Sequence, residues 1–349
     1  MKLPLFADTH GIEIIQVQRG LSVHTLDRGK VWASRGGRVR VDGQGLGTLP
    51  EPRWQQLAEK STFLGQALRL GVHGVVPLAD DALLVVASGR LWRLQVGRWH
   101  EALRLDFRKP ARLGVLRTRE GQVFCAEYTL NPQRNRPIRL WRSDDNALTF
   151  QQIFAFAPGQ VRHIHFIQQD PLDSALWLGT GDRDAESAIY RSTDLGVSWQ
   201  QVGGGSQLWR AIGVAFREDA VLWGTDAGID AGSFQNVAVR WDRRTQKLTQ
   251  HTHLPGPVHG VTALPDGTVL LGTGCEGGVN ERDRRVRLYS SVDGKDFKEI
   301  ASFHGGLQPK RAQYPLLHFA QGQETSPQIW LMARGILVGS LLAMEIRLR

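Results

Sequence analysis

Cysteine, methionine and tyrosine are scarce in this 349-residue chain, with two, three and four residues respectively. Two cysteines, Cys125 and Cys275, cannot build a disulfide scaffold and lack the paired spacing of a zinc ribbon. Each lies in an apolar run, which predicts buried free thiols and a reducing, cytoplasmic location. No window approaches the roughly 18–20 apolar residues that a membrane span requires. The apolar stretch 336–344 is short enough to be read as a pair of core strands. The opening MKLPLFADTHGIEI lacks the apolar stretch of a secretory signal. Also missing is any dense block of like charge. The formal net charge is +9, but the 43 Lys and Arg residues are scattered. Without basic clusters interleaved with aromatics, nucleic acid is not an expected partner, whereas an anionic glycan remains one.

Helical periodicity is equally thin. Only 52–68, PRWQQLAEKSTFLGQAL, reads as a helical or irregular insertion. What the chain has in plenty is glycine, at 39 residues, and tryptophan, at 11. Glycine serves tight turns and aromatics fit pleated surfaces, so many short strands are expected. A unit recurs along the sequence. Its first runs are VHGVVPL (72–78), ARLGVLR (111–117), RHIHFIQ (162–168), WRAIGVAF (209–216), VHGVTAL (258–264) and YPLLHFA (314–320). Each is followed by a second apolar run, such as LLVVAS (83–88), LWLGTGD (176–182) or VLLGTGCE (269–276). A fainter unit around KVWASRGG (30–37) precedes them. This spacing predicts an all-β fold, a single β-propeller spanning 1–349 with seven four-stranded blades, six being the alternative. Closing the ring calls for an N-terminal strand, such as 13–18, beside the last blade.

Ser192, Asp194, Gly196, Ser198 and Trp199 fall in one short turn-rich run, YRSTDLGVSW. Ser143, Asp145, Ala147 and Thr149 repeat the pattern, and Ser291 with Asp293 gives a shortened copy. The carboxylate and hydroxyl can bond turn amides while glycine takes the strained φ and the aromatic packs beneath. This S-x-D-x-G-x-[ST]-W run resembles the Asp-box of BNR-repeat, sialidase-like propellers. The resemblance implies a propeller with these turns on its outer hairpins and a carbohydrate-related activity. The arginine–isoleucine–proline motif of sialidases is not present; Arg136-Pro137-Ile138 reverses it.

In such a fold the start of each first run and the end of each second run converge on one mouth. The first set contains His73, Arg112, His163, Arg210, His259 and Tyr314; the second contains Ser88, Glu127, Asp182, Asp226 and Glu276. Catalytic candidates are therefore Asp182, Asp226, Glu276, Glu127 and His163, the carboxylates as acid and base or nucleophile. Arg210, Gln207, Arg112, His259, His73 and Tyr314 are candidate substrate-binding residues, with arginine suited to gripping an acidic group. His163 and His165 share a strand face and with Asp182 make three ligand types, yet no metal or cofactor is assigned. His165 reads as a structural histidine. The expected function is glycoside hydrolase-like action on an acidic or polar glycan. A non-catalytic glycan- or protein-binding propeller and a polysaccharide lyase are the alternatives.

Overall fold

A computed structural model describes residues 7–61, 64–65, 68, 70–107, 109–281, 283–306, 314–336 and 341–349. They form seven antiparallel sheets arranged as the blades of a propeller. Blade 1 comprises Ser22–Asp27, Lys30–Arg35, Arg38–Val41 and Gln44–Thr48; blade 2 comprises Val72–Pro77, Leu83–Ala87, Arg90–Gln95 and Arg98–Arg104. Blade 3 holds Val115–Arg117, Val123–Ala126, Ile138–Ser143 and Gln151–Phe156; blade 4 holds His163–Gln169, Leu176–Gly181, Ala188–Ser192 and Gln200–Gly204. Blade 5 runs through Ala215–Phe216, Ala220–Gly224, Val237–Asp242 and Leu248–His253. Blade 6 runs through Val258–Ala263, Val269–Thr273, Arg285–Ser291 and Lys298–His304, and gains a fifth strand, Ala7–Asp8, on its outer edge. Blade 7 contributes Leu316–Phe319, Ile329–Arg334 and Leu341–Leu348. Seven units are present, so the faint N-terminal one is a full blade and six is excluded.

The second strands explain the apolar runs of the sequence. Leu83–Ala87, Val123–Ala126, Leu176–Gly181, Ala220–Gly224 and Val269–Thr273 are buried at every position. Each is covered on both faces by neighbouring blades, so the usual in–out alternation gives way to a continuous hydrophobic run. Two glycines in these strands are set by the neighbouring blade. A Cβ on Gly224 would meet Val258 Cγ2 at 2.2 Å, and one on Gly272 would meet Leu317 Cβ at 2.9 Å. In both cases the next blade's inner strand needs the space.

Ring closure comes from Ile12–Arg19, which pairs antiparallel with Leu341–Leu348 as the outermost strand of blade 7. The expected strand at 13–18 is thus found where the closure argument puts it. In the 52–68 segment the structure has a helix at Arg53–Ala58; residues 62, 63, 66 and 67 lie outside the described residues, as do 337–340 of the apolar stretch 336–344. No described helix is long and apolar enough to cross a membrane. Cys125 and Cys275 are both buried, and neither is in a disulfide.

The serine–aspartate turns join the third and outer strands of blades 3, 4 and 6. In blade 4, Ser198 donates its amide (2.9 Å) to Asp194 Oδ1 and its hydroxyl (2.5 Å) to Oδ2. Ser192 Oγ donates to the same carboxylate and accepts the Gly196 amide at 2.9 Å. Ala147 and Thr149 repeat these contacts around Ser143 and Asp145, and Ser291 Oγ donates to Asp293. Gly196 sits at φ 82°, and Ala147 tolerates the same left-handed region at 61°. Hydrogen bonds from the Ser198 side chain and amide hold Asp194 down at about 2.

Two outcomes are expected. Deleting residues 1–19 should expose the Leu341–Leu348 edge and convert a single cooperative melt into a broad, aggregating one, read by circular dichroism and size-exclusion chromatography. For Asp194 the folded pKa lies below the unfolded one of about 3.9, so its stabilisation is full above that value and disappears as pH falls through about 2. Asp194→Asn should therefore make stability less sensitive to acid over that window in urea titrations; an unchanged slope would count against the turn's role.

Candidate functional site

Inner strands present side chains to the central channel, and small irregularities decide which. In blade 4, pairing skips from Ile164 to Phe166, leaving His165 as the extra residue of a β-bulge. The same skip isolates His24 in blade 1, His73 in blade 2 and His259 in blade 6. A bulge bends its strand and re-aims the extra side chain. Four blades thus spend their inner-strand bulge on a histidine.

Around the start of the blade 4 strand, donors converge. His163 Nδ1 lies 3.1 Å from the Thr129 carbonyl, and His165 Nδ1 lies 3.0 Å from the Ala211 carbonyl. A carbonyl only accepts, so both Nδ1 atoms carry the proton and donate it. The two Nε2 atoms then face each other at 3.0 Å with lone pairs, unless a proton or cation lies between them. Asp182 Oδ1 completes the triangle at 3.4 Å from His163 Nε2 and 3.3 Å from His165 Nε2. Tyr128 stacks on His163 with ring centroids 4.0 Å apart and fixes its plane. Three ligands about 2.1 Å from one shared ion are themselves roughly 3.0–3.4 Å apart, so this triangle has the size and chemistry for a divalent cation.

Arginines frame it. Arg162 donates to Asp182 Oδ2 at 2.6 Å. Arg210 is buried, donating to the Asp182 carbonyl at 3.1 Å and to Asp230 at 3.0 Å, with Asp226 3.9 Å away. Gln207 bonds the Asp182 carbonyl and Asp184, bracing the loop. Burial opposes ionisation of Asp182, yet hydrogen bonds and charge from His163 and His165, once a proton lies on their Nε2 atoms, hold its carboxyl far below the usual range.

Beside this group lies a second. His259 Nε2 is 3.0 Å from Glu276 Oε1 and 3.9 Å from Asp226 Oδ1. Burial pushes Asp226 up to about 7, against the charges of His259 and Arg210 and with help from Glu276. Burial would lower His259, but the Glu276 hydrogen bond and both carboxylates raise it. Glu276 moves down despite burial, because it is bonded to His259. Tyr314 stacks toward His259, centroids 5.4 Å apart, and burial raises its hydroxyl well above the ordinary value.

The sequence-predicted residues divide accordingly. Asp182, Asp226, Glu276, His163, Arg210, Gln207, His259 and Tyr314 come together at this mouth. Glu127 takes a different set of partners, accepting the Arg139 amide at 2.9 Å and lying 3.4 Å from Trp141 Nε1 within its own blade. Arg112 donates to the His259 carbonyl at 3.0 Å and faces deeper into the channel. There it lines a cavity of about 40 Å³ with His73, His24, His318 and Arg334. That cavity adjoins a larger one of about 330 Å³ formed by the far ends of the inner strands. Arg162, Arg334, His24 and His318 were missed by sequence reading. His24 had a signal, since V-H at 23–24 matches V-H at 72–73 and 258–259, and so had Arg334, which closes the second run IWLMARG at 329–335.

Two outcomes follow. Arg210→Met should destabilise the fold by about 3–5 kcal/mol, because Asp182, Asp226 and Asp230 lose a shared buried cation; denaturant titration measures it. Asp226 is raised on folding, so the native state holds its proton longer and stability should decline as pH climbs from about 4 to about 7. Asp226→Asn should flatten that decline, and an identical slope in the variant would refute the assignment.

No protein-family model matches the sequence, and no curated protein matches it. Among solved structures, an oligogalacturonate lyase in complex with manganese superposes with a TM-score of 0.56 at 14% identity, covering 98% of this chain and 97% of that one. The extracellular domain described as a one-component system of B. thetaiotaomicron gives 0.55 at 13% identity over 97% of this chain, which spans only 40% of that protein. An α-L-arabinofuranosidase from Fusarium graminearum gives 0.46 at 13% identity, covering 78% and 91%. At these identities the likeness is one of fold, and the fold is a seven-bladed propeller.

Proposed function

We propose that the protein cleaves an acidic, uronate-bearing glycan by β-elimination at the mouth built by blades 3 to 7. The observation that carries this reading is the convergence of His163 Nε2, His165 Nε2 and Asp182 Oδ1, with both Nδ1 atoms already committed to carbonyls. His163, His165 and Asp182 would hold a divalent cation, although the sequence alone assigns none. When bound, such a cation neutralises a hexuronate carboxylate and makes the neighbouring C5–H more acidic.

The remaining chemistry belongs to side chains of this chain. Asp226, near half-ionised at neutral pH, is suited to take the C5 proton. The C–H electron pair forms the C4=C5 bond, the C4–O4 bond breaks, and the leaving oxygen needs a proton. His259, kept protonated by Glu276, is placed to give it. Glu276 is then a positioning residue, and Arg210 holds Asp182 and Asp226 in place. Support for a glycan substrate also comes from the oligogalacturonate lyase with the same fold. We read the three serine–aspartate turns as Asp-box copies, which bear on architecture and leave the reaction open, and the buried thiols as fitting a reducing cytoplasm.

A second reading, hydrolysis, has its own observation. Asp226 and Glu276 lie with His259 in one compact group, their atoms within 4.8 Å, and their acidities are pushed in opposite directions. That divergence is how an acid and a nucleophile are told apart in carboxylate-pair enzymes.

Oligogalacturonate and other hexuronate oligomers, incubated with chelator-treated protein and then with added Mn²⁺, separate these outcomes. Elimination predicts a metal-dependent rise in the ultraviolet absorbance of a conjugated unsaturated uronate. Asp226→Asn should lower the rate by roughly 10²–10⁴-fold, and His163→Ala should abolish the response to metal. The rate of the wild type should climb as Asp226 ionises around pH 7 and fall once His259 loses its proton. New reducing ends without the chromophore would replace elimination by hydrolysis, and binding without any product would leave a lectin-like propeller.

A further inference from the structure

Below the mouth, the channel carries charge with nothing to balance it. Arg112, at the start of the blade 3 inner strand, and Arg334, at the end of the blade 7 second strand, line the same cavity of about 40 Å³. All 34 Asp and Glu residues of the chain are among the described ones, and no acidic side chain lines that cavity. Among the described residues neither arginine forms an ion pair, and Arg334 Nε is buried with no hydrogen-bond acceptor. Guanidinium keeps its proton at neutral pH, so two positive charges stand together in a narrow, protein-lined space. Such charges are costly to bury unless an anion accompanies them.

His24 and His318 beside them are neutral and polar, and they add no competing charge. Burial and the charges of Arg334 and Arg112 pull His24 down to about 3 and leave His318 well below its ordinary value. His24 Nε2 is engaged with Ser34 Oγ at 2.8 Å, and His318 Nδ1 is buried without a partner. A neutral imidazole supplies an N–H donor toward an anion. Thr25, Val76, Arg112, His318, Phe319 and Gln321 line both this cavity and the 330 Å³ one, so a small solute has a route in from the face opposite the mouth.

We propose that the channel holds an oxyanion, phosphate, sulfate or carboxylate, gripped between the guanidinium groups of Arg112 and Arg334. The cavity lining shares no residue with the His163–His165–Asp182 group, so this site is separate from it. It does not rest on the proposed elimination reaction. Two sources share the chemistry: a free inorganic anion acting as a built-in counterion, and the carboxylate of an acidic sugar reaching down from the mouth.

Isothermal titration calorimetry of the full chain in a chloride buffer of fixed ionic strength tests this, with sodium phosphate, sodium sulfate and galacturonate as separate titrants. One saturable site for at least one titrant is expected, weakened tenfold or more in Arg334→Met and in Arg112→Met. In the same buffer without titrant Arg334→Met should melt no lower than the wild type, because it removes an unbalanced charge. Should Arg112→Met fail to fold, Arg334→Lys keeps the charge but loses the forked grip, and should also bind more weakly. Phosphate or sulfate binding lost in the variants assigns the inorganic source; galacturonate binding alone, lost in the same way, assigns the sugar carboxylate. Absence of binding for all three, or binding unaltered in both methionine variants, would overturn the site. His163→Ala should leave the phosphate and sulfate affinities unchanged, so loss of the elimination reading and loss of this one are told apart.

Discussion

The pairing of Ile12–Arg19 with Leu341–Leu348 is the contact on which the other features depend. A blade is a four-stranded sheet that cannot cover its own two faces. Stacked in a ring, each blade buries its neighbour's apolar surface, and the first and last can do this only when the ring is shut. Closure by an N-terminal strand beside C-terminal ones ties the two ends of the chain into one sheet. It also fixes the circumference of the channel. Inner strands of blades 7 and 1 then touch, with the Leu26 amide donating to the Gln321 carbonyl at 2.8 Å and the Gln321 amide to that of His24. The positions of His24 and His318, on adjacent strands from opposite ends of the sequence, follow from that junction.

A closed ring of this width concentrates charge along its axis and sorts it by depth. At the mouth, Asp182, Asp184, Asp226, Asp230 and Glu276 outnumber Arg162 and Arg210. Below them, the cavity around Arg112 and Arg334 has no acid at all. Tyr314 lies between the two zones, its hydroxyl raised by Glu276 and Asp226 and lowered by Arg112. On the proposed readings, the acid-rich rim is the place for a metal cation and the cationic throat the place for an oxyanion. Neither zone achieves its character through surface charge, which is modest and scattered; each depends on burial, where a single charge matters far more than in water.

Much of the fold was legible because its cause is local. The runs LLVVAS, LWLGTGD and VLLGTGCE had to be buried on both faces, and their regular recurrence identified them as equivalent strands. Asp194 and its copies were legible as turns because carboxylate, hydroxyl and glycine act within a few residues. The mouth was partly legible for the same reason: strand ends are predictable, so Asp182, Asp226, Glu276, His163 and His259 could be placed on it. Glu127 occupies the equivalent sequence position and still does other work, since Arg139 and Trp141 of its own blade capture its carboxylate. No sequence rule distinguishes a strand-end acid that faces the axis from one held by the next strand. Arg334 ends a second run as Asp182 and Glu276 do, but its significance lies in the acidic partner it lacks among the described residues, which sequence does not display.

The bulges bring these threads together. A regular strand alternates its side chains, so an unbroken inner strand offers the channel only every second residue. In blade 4, His163 and His165 lie two residues apart and share a face of the extended strand, and the bulge at His165 shifts the register of the residues that follow it. Blades 1, 2 and 6 use the same irregularity to direct His24, His73 and His259 inward. His165 and His259 then meet carboxylates, while His24 and His73 line the cavity that holds Arg112 and Arg334. Identical backbone devices therefore yield opposite electrostatic surroundings, and what separates them is the second-strand residue nearby: Asp182 in blade 4 and Glu276 in blade 6, against Ser34 in blade 1 and the arginine-lined side shared with blade 7. The surroundings of each bulged histidine are set less by the bulge that presents it than by the residue that the neighbouring strand ends on.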